Sequence, residues 1–203
     1  MNYIKKFLSE SAWIIENVNT EEINKAVEYL VNIREEGGRL FILGVGGGAG
    51  HASHAVNDFR KIAGFEAYTP TDNVSELTAR INDEGWDTCF QRWLQGSRLH
   101  KKDGLLIFSV GGGDLKNKIS VNIVNSLKYA KEIGCTILGI VGNRGGYTAE
   151  VADACIKIPS IYKDTVTPQT EAFQAIIWHL LVSHPALLQN DMKWESMRKK
   201  ENC

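Results

Sequence analysis

His54 and Asp58 lie four residues apart, so a helix through them sets an imidazole and a carboxylate on one face. Just ahead of them stand Gly44, Gly46, Gly47, Gly48 and Gly50, and ahead of those the short apolar run Leu40 to Leu43. The reading is a buried strand, a glycine loop from Gly44 to Gly50, and a helix opening at that loop. Glycines let the backbone turn tightly and let a ligand approach main-chain N–H groups. The positive end of the helix dipole then suits an anion or a sugar oxygen. Gly44, Gly46 and Ala49 also satisfy the dinucleotide fingerprint G-x-G-x-x-A. That fingerprint wants an acidic residue ending the next strand, where this chain has Thr69, Pro70 and Thr71, so no nicotinamide cofactor is expected. Plainer alternatives are a tight turn that holds no ligand and, for His54, an ordinary half-buried histidine.

The elements that must position these groups follow from the rest of the chain. Its 203 residues allow one domain with a sizeable core, and 43% hydrophobic with 23% charged residues is ordinary for a soluble protein. A net charge of −1 points to neither a nucleic-acid nor a membrane surface. No apolar run approaches the ~20 residues of a membrane helix, and the charged N-terminus does not read as a signal peptide. Cys89, Cys135, Cys155 and Cys203 lack C-x-x-C spacing and read as reduced thiols of a cytosolic protein.

Two helices, residues 2 to 18 and Thr20 to Gly37, precede the first strand as an arm (1–37) that covers the sheet or meets a partner subunit. Further strands are expected at Glu66 to Thr69, Gly104 to Val110, Thr136 to Val141 and Cys155 to Ile158. Between them lie helices at Val74 to Ile81, capped by Asp72, with Asn82 and Asp83 just past it; at 84–99, where Trp86, Phe90, Trp93 and Leu94 read as core; at Lys116 to Ile133; and around Tyr147 to Ala152. Thr167 caps the last helix, with Pro168 in its first position and His179 near its end. Residues 191–203 form a polar tail, frayed from Met192. Strand and helix alternate, which predicts an α/β, doubly wound, flavodoxin-like parallel sheet of five strands. A second glycine loop, Gly111, Gly112 and Gly113, follows the third strand. Both loops fall at strand carboxyl ends, where such sheets bind ligands, and suggest a small oxygen-rich ligand held mainly by backbone.

The sequence resembles the sugar isomerase (SIS) domain, and more closely the phosphoheptose isomerases that act on sedoheptulose 7-phosphate. GVGGGAGHASHAVNDF lies over that family's GNGGSAADAQHFAAEL, and TPTDNVSELTARINDEGWD over TTDTSVLTAIGNDYGYE. SVGGGDLKN lies over STSGNSPNV, and TEAFQAIIWHLL over IQEVHIxxxHIL. The resemblance implies aldose–ketose isomerisation through an enediol, with Asp58 as base and His179 as acid. It implies a zinc set of His54, Asp58, Glu171 and His179, able to polarise a sugar carbonyl. It implies substrate contacts at Gly46, Gly47, Gly48, Asp72, Asp83, Ser109, Gly111, Gly112 and Asp114, and a homotetramer with sites built between subunits.

The chain departs from the family where phosphate is bound. Gly48 stands for a serine, Ser109 is followed by Val110, Gly111, Gly113 and Asp114, and Asp114 puts a negative charge where a dianion would sit. Asp58 is one methylene shorter than the family's glutamate. These changes leave room for a different sugar, or for a non-catalytic SIS module that binds a sugar phosphate or a protein.

Overall fold

The computed structural model describes residues 2–192. It holds one parallel sheet in the order β2-β1-β3-β4-β5, the order expected of a flavodoxin-like fold. The strands are β1 (Leu40–Gly44), β2 (Ala67–Tyr68), β3 (Gly104–Ser109), β4 (Thr136–Gly142) and β5 (Ala154–Ile158). The helices are α1 (Tyr3–Asn17), α2 (Thr20–Glu35), α3 (Gly47–Lys61), α4 (Val74–Glu84), α5 (Cys89–Gly96), α6 (Val121–Ile133), α7 (Gly146–Val151) and α8 (Val166–Ser183). Every residue of β1 is buried, as a strand covered on both faces must be. Leu40 and Ile42 join one core with Leu106, Phe108 and residues of α2, α3 and α8. Phe41 and Leu43 alternate to the other face and join Leu105, Ile107, Phe90, Trp93 and residues of α6. Trp86 alone of the expected aromatic core stripe is substantially exposed, at 44%.

Four local expectations are corrected. Asn73, not Asp72, caps α4, accepting from the Glu76 N–H at 3.2 Å, and α4 runs on through Asn82 and Asp83 to Glu84. α6 begins at Val121 rather than Lys116, because Asp114 and Ile119 close a turn with two backbone hydrogen bonds of 2.9 Å. α8 begins at Val166, after Thr165, so Thr167 lies inside the helix and Pro168 is its third residue. Pro168 is still tolerated there, since first-turn N–H groups lack helical partners anyway. Glu171 consequently lies in the second turn. The polar tail from residue 193 onward lies outside the described residues.

The N-terminal arm is pinned to its own chain. Buried Glu10 accepts from the Ile161 N–H (2.9 Å), the Tyr162 N–H (3.1 Å) and the Thr165 hydroxyl. Ser11 donates to Gln169 Oε1 at 3.0 Å, and Gln169 Nε2 donates to the Phe7 carbonyl at 3.0 Å. Glu22 Oε2 accepts from the Cys155 N–H at 3.0 Å, occupying a donor on edge strand β5. Burial alone would raise the Glu10 pKa, but the donors from Thr165, Tyr162 and Ile161 bring it below its ordinary value. A carboxylate with a depressed folded pKa stabilises the fold above its unfolded pKa and loses that contribution as pH falls through the folded value. Glu10→Ala strands three donors and is expected to cost about 2–4 kcal/mol in urea denaturation. The difference from wild type is expected to shrink as pH drops below about 4.

Candidate functional site

The site is a seam between α3 and α8. Both helices descend from the carboxyl end of the sheet, α3 after β1 and α8 after β5. Gly46 makes the start of α3 possible, with φ +60° and ψ −124° at the N-cap, a backbone shape that favours glycine. The next turn begins at once, with Gly48 N–H donating to the Val45 carbonyl at 3.1 Å and Ala49 N–H to the Gly46 carbonyl at 3.0 Å. Much of the first glycine loop is therefore the first turn of α3, and three of its N–H groups are already spent, that of Gly50 also on the Gly46 carbonyl.

Along α3 the residues facing α8 are Gly47, His51, His54 and Asp58, spaced at the helical repeat. At the top, the Glu171 carboxylate closes over Gly47, where any Cβ would collide with Glu171 Oε1. That puts a negative charge at the positive end of α3. One turn down, His51 Nδ1 lies 3.1 Å from Gln174 Oε1, and Gln174 Nε2 donates to the Ile140 carbonyl at 3.1 Å. Lower still, His54 Nε2 and His179 Nε2 each lie 3.4 Å from Asp58 Oδ2. Asp58 is 6% exposed, whereas both imidazoles are open to solvent.

The carboxylate is held from behind. Trp178 Nε1 donates to Asp58 Oδ2 at 3.2 Å, and Asn57 Nδ2 donates to Oδ1 at 3.0 Å. The Trp178 ring packs against His51, His54 and His179 at centroid distances of 5.0, 5.4 and 4.9 Å. His179 Nδ1 lies 2.7 Å from the Ala175 carbonyl, which only an N–H can satisfy. That places a proton on Nδ1 and leaves Nε2 as the nitrogen facing Asp58.

His54, Asp58 and His179 offer ligand atoms all within 4.8 Å of one another, so this group could hold a metal ion. The spacing fits. Two ligands on a tetrahedral ion with bonds near 2.0–2.1 Å lie about 3.3 Å apart, close to the 3.4 Å here and longer than a good hydrogen bond. Glu171 stands apart from this group. It is eight residues before His179, about 12 Å of helical rise, and its carboxylate is at the mouth of the seam.

The remaining expected contacts scatter. Ser109 Oγ accepts from the Gly112 N–H at 3.0 Å. The Gly112 and Gly113 carbonyls accept from Thr148 and Tyr147 N–H groups at 2.9 Å, so the second glycine loop also seats α7. A Cβ on Gly112, at φ +71°, would collide with the Gly145 carbonyl. Asp114 accepts from Asn117 N–H and Nδ2, which hold its carboxyl below its ordinary range, so its charge is present at neutral pH. Asp72 accepts from the Ser53 hydroxyl, on α3. Asp83 is exposed on α4 and accepts from its neighbour Asn82 at 2.7 Å. A cavity of about 200 Å³ remains at the strand ends between Gly48, Ser109, Gly111, Ser120, Glu171 and Gln174. Gly48 is packed so closely on β3 that a Cβ would lie 2.5 Å from the Phe108 carbonyl oxygen. Gly48→Ser, which restores the family residue, is expected to destabilise by about 1–3 kcal/mol in denaturation, since backbone must move.

His51, Gln174 and Trp178 were not singled out by the sequence reading. The available signal for His51 was its place one turn before the His54–Asp58 pair.

The strand order defines a flavodoxin-like α/β protein, with a cavity at the strand ends and a His/Asp/His group carried by α3 and α8. The family model described as SIS domain matches residues 2–142, and the chain belongs to that family. It is 29% identical over 185 residues to the phosphoheptose isomerase of Aliarcobacter butzleri, covering 88% of this chain and 92% of that one. It is 33% identical over 152 residues to the phosphoheptose isomerase of Rhodospirillum rubrum, covering 71% and 74%. Among solved structures, the phosphoheptose isomerase of Neisseria gonorrhoeae superposes with a TM-score of 0.75 at 21% identity, covering 89% of this chain and 92% of that one, a likeness of fold.

Proposed function

We propose that the chain is an aldose–ketose isomerase of a sugar phosphate, with sedoheptulose 7-phosphate as its substrate. The observation that carries this is the buried Asp58 carboxylate with two imidazole Nε2 atoms at 3.4 Å, in a chain related to phosphoheptose isomerases. Asp58 takes a proton from the carbon next to the sugar carbonyl and returns it to the former carbonyl carbon, through an enediol. Its burial and its Trp178 and Asn57 donors fix where the carboxylate oxygens point. His179 Nε2 moves the hydroxyl proton to the carbonyl oxygen, its Nδ1 proton held by the Ala175 carbonyl. In place of that proton transfer, His54, Asp58 and His179 would hold a zinc ion, which when bound supplies a Lewis acid for the sugar carbonyl. Glu171 contributes at the mouth of the seam, where it orients hydroxyls of the sugar.

The direct test follows conversion of sedoheptulose 7-phosphate by NMR, with and without added zinc, alongside metal analysis of the purified protein. Aldose formation supports the reading. A folded, zinc-loaded protein that turns over a different ketose phosphate, but not this one, would shift the substrate and keep the reaction class. Neither turnover nor metal would favour the non-catalytic SIS module.

We further propose a homotetramer in the cytoplasm. The support is the apolar side chains left exposed on α1 (Ile4, Leu8, Ile15) and α8 (Ile176, Leu180), and the unpaired thiols of Cys89, Cys135 and Cys155. Burial pushes the Cys135 and Cys155 thiols up to about 12 and about 11, values that do not suit reactive or metal-binding sulfur. Among the described residues no helix is long and apolar enough to cross a membrane. Sedimentation velocity is expected to show a tetramer, and Leu8→Glu to shift it toward smaller species.

A further inference from the structure

A second and larger cavity, about 490 Å³, opens at the ends of β4 and β5, a volume suited to a small molecule. Its walls include Asn143 and Arg144 after β4, Ser160, Tyr162 and Lys163 after β5, and Val166 at the start of α8. No carboxylate lines it. Among the described residues neither Arg144 nor Lys163 makes an ion pair. Two acids that meet the β5–α8 loop are occupied: Asp164 pairs with Lys6 at 3.1 Å, and Glu10 takes the Ile161 and Tyr162 N–H groups. Asn143 Nδ2 donates to Ser160 Oγ at 2.8 Å and ties the two loops together. Two unpaired cations with amide and hydroxyl groups beside them are the chemistry of a phosphate site, with the guanidinium able to bind two oxygens at once.

This cavity adjoins the smaller one, sharing Val110 and Gly111, but its wall at Val166 lies beyond the reach of a sugar whose carbonyl sits at Asp58. Val166 and His179 are thirteen residues apart on α8, about 20 Å of rise. An extended seven-carbon sugar phosphate reaches about 10 Å, given bonds near 1.5 Å. We propose that the cavity is a second anion site, which takes the phosphate group of a small molecule other than the sugar being isomerised.

Isothermal titration calorimetry of the full chain with inorganic phosphate, at constant ionic strength, tests this. Wild type is expected to bind phosphate saturably. Arg144→Ala with Lys163→Ala is expected to weaken binding at least tenfold, while Asp58→Asn and the surface control Lys131→Ala leave it unchanged. Thermal melts establish that each variant is folded, and Arg144→Gln alone, expected to weaken binding severalfold, serves if the double variant is not. Absence of binding in wild type, or equal binding in the double variant, overturns the site. Turnover of sedoheptulose 7-phosphate is expected to be unchanged in the double variant. A rise in KM that parallels the loss of phosphate binding would make the anion the substrate's own and overturn the separation, without touching the isomerase reading.

Discussion

Asp58→Asn is expected to lower turnover of sedoheptulose 7-phosphate by about 10²–10⁴-fold, the range for removing a positioned general base. The amide keeps the size of the side chain and can still accept from Trp178 or Asn57 through its oxygen, so the fold is retained. What it loses is the negative charge that carries the proton and that draws the two Nε2 atoms, each 3.4 Å away, around one point. Zinc affinity, read by competition with a chromogenic chelator, is expected to fall in the same variant. Asp58→Glu is the informative companion, since it restores the family's side-chain length. Behind it sits Trp178 at 1% exposure, so the longer carboxylate can only extend outward between His54 and His179. Wild-type turnover in Asp58→Asn, with the protein folded, would remove Asp58 from the mechanism.

Trp178→Ala is expected to destabilise the protein by about 3–5 kcal/mol, the range for truncating a large buried aromatic. Trp178 stacks on Phe108 of β3 at 5.6 Å and stands between three imidazoles and the sheet, so its loss opens the seam to the core. Trp178→Phe separates packing from positioning. It keeps an aromatic ring but removes the indole N–H that holds Asp58 Oδ2 at 3.2 Å. The expected result is a smaller stability loss in urea denaturation, with kcat reduced more than KM is raised. Equal turnover in Trp178→Phe would show that the indole fills space and nothing more.

The alternation of apolar runs with helical segments was enough to read an α/β sheet of five parallel strands, because buried parallel strands need continuous apolar stretches and their crossovers need helices. The His54–Asp58 pair was legible for a similar reason: a spacing of four on a helix leaves no choice but a shared face. Boundaries were less legible. Asp114 and Asn117 prefer to bond the backbone of a turn, and this moved the start of α6 to Val121 although the residues before it suit a helix.

What the tertiary structure decided is which distant groups meet. His179 joins His54 and Asp58 only because α3 and α8 descend side by side from the same end of the sheet. Glu171, on the same helix, lies at the mouth because it stands near the start of α8, with its carboxylate over Gly47. The glycines of the second loop read equally well as a phosphate cradle or as backbone packing. The Gly112 and Gly113 carbonyls meet Thr148 and Tyr147 of α7, while Gly111 beside them lines the strand-end cavity. Local sequence reports which groups share one helix or one loop, through fixed periodicity. It carries no comparable signal for which N–H groups a neighbouring element has already taken, since that depends on how two segments far apart in the chain are brought together.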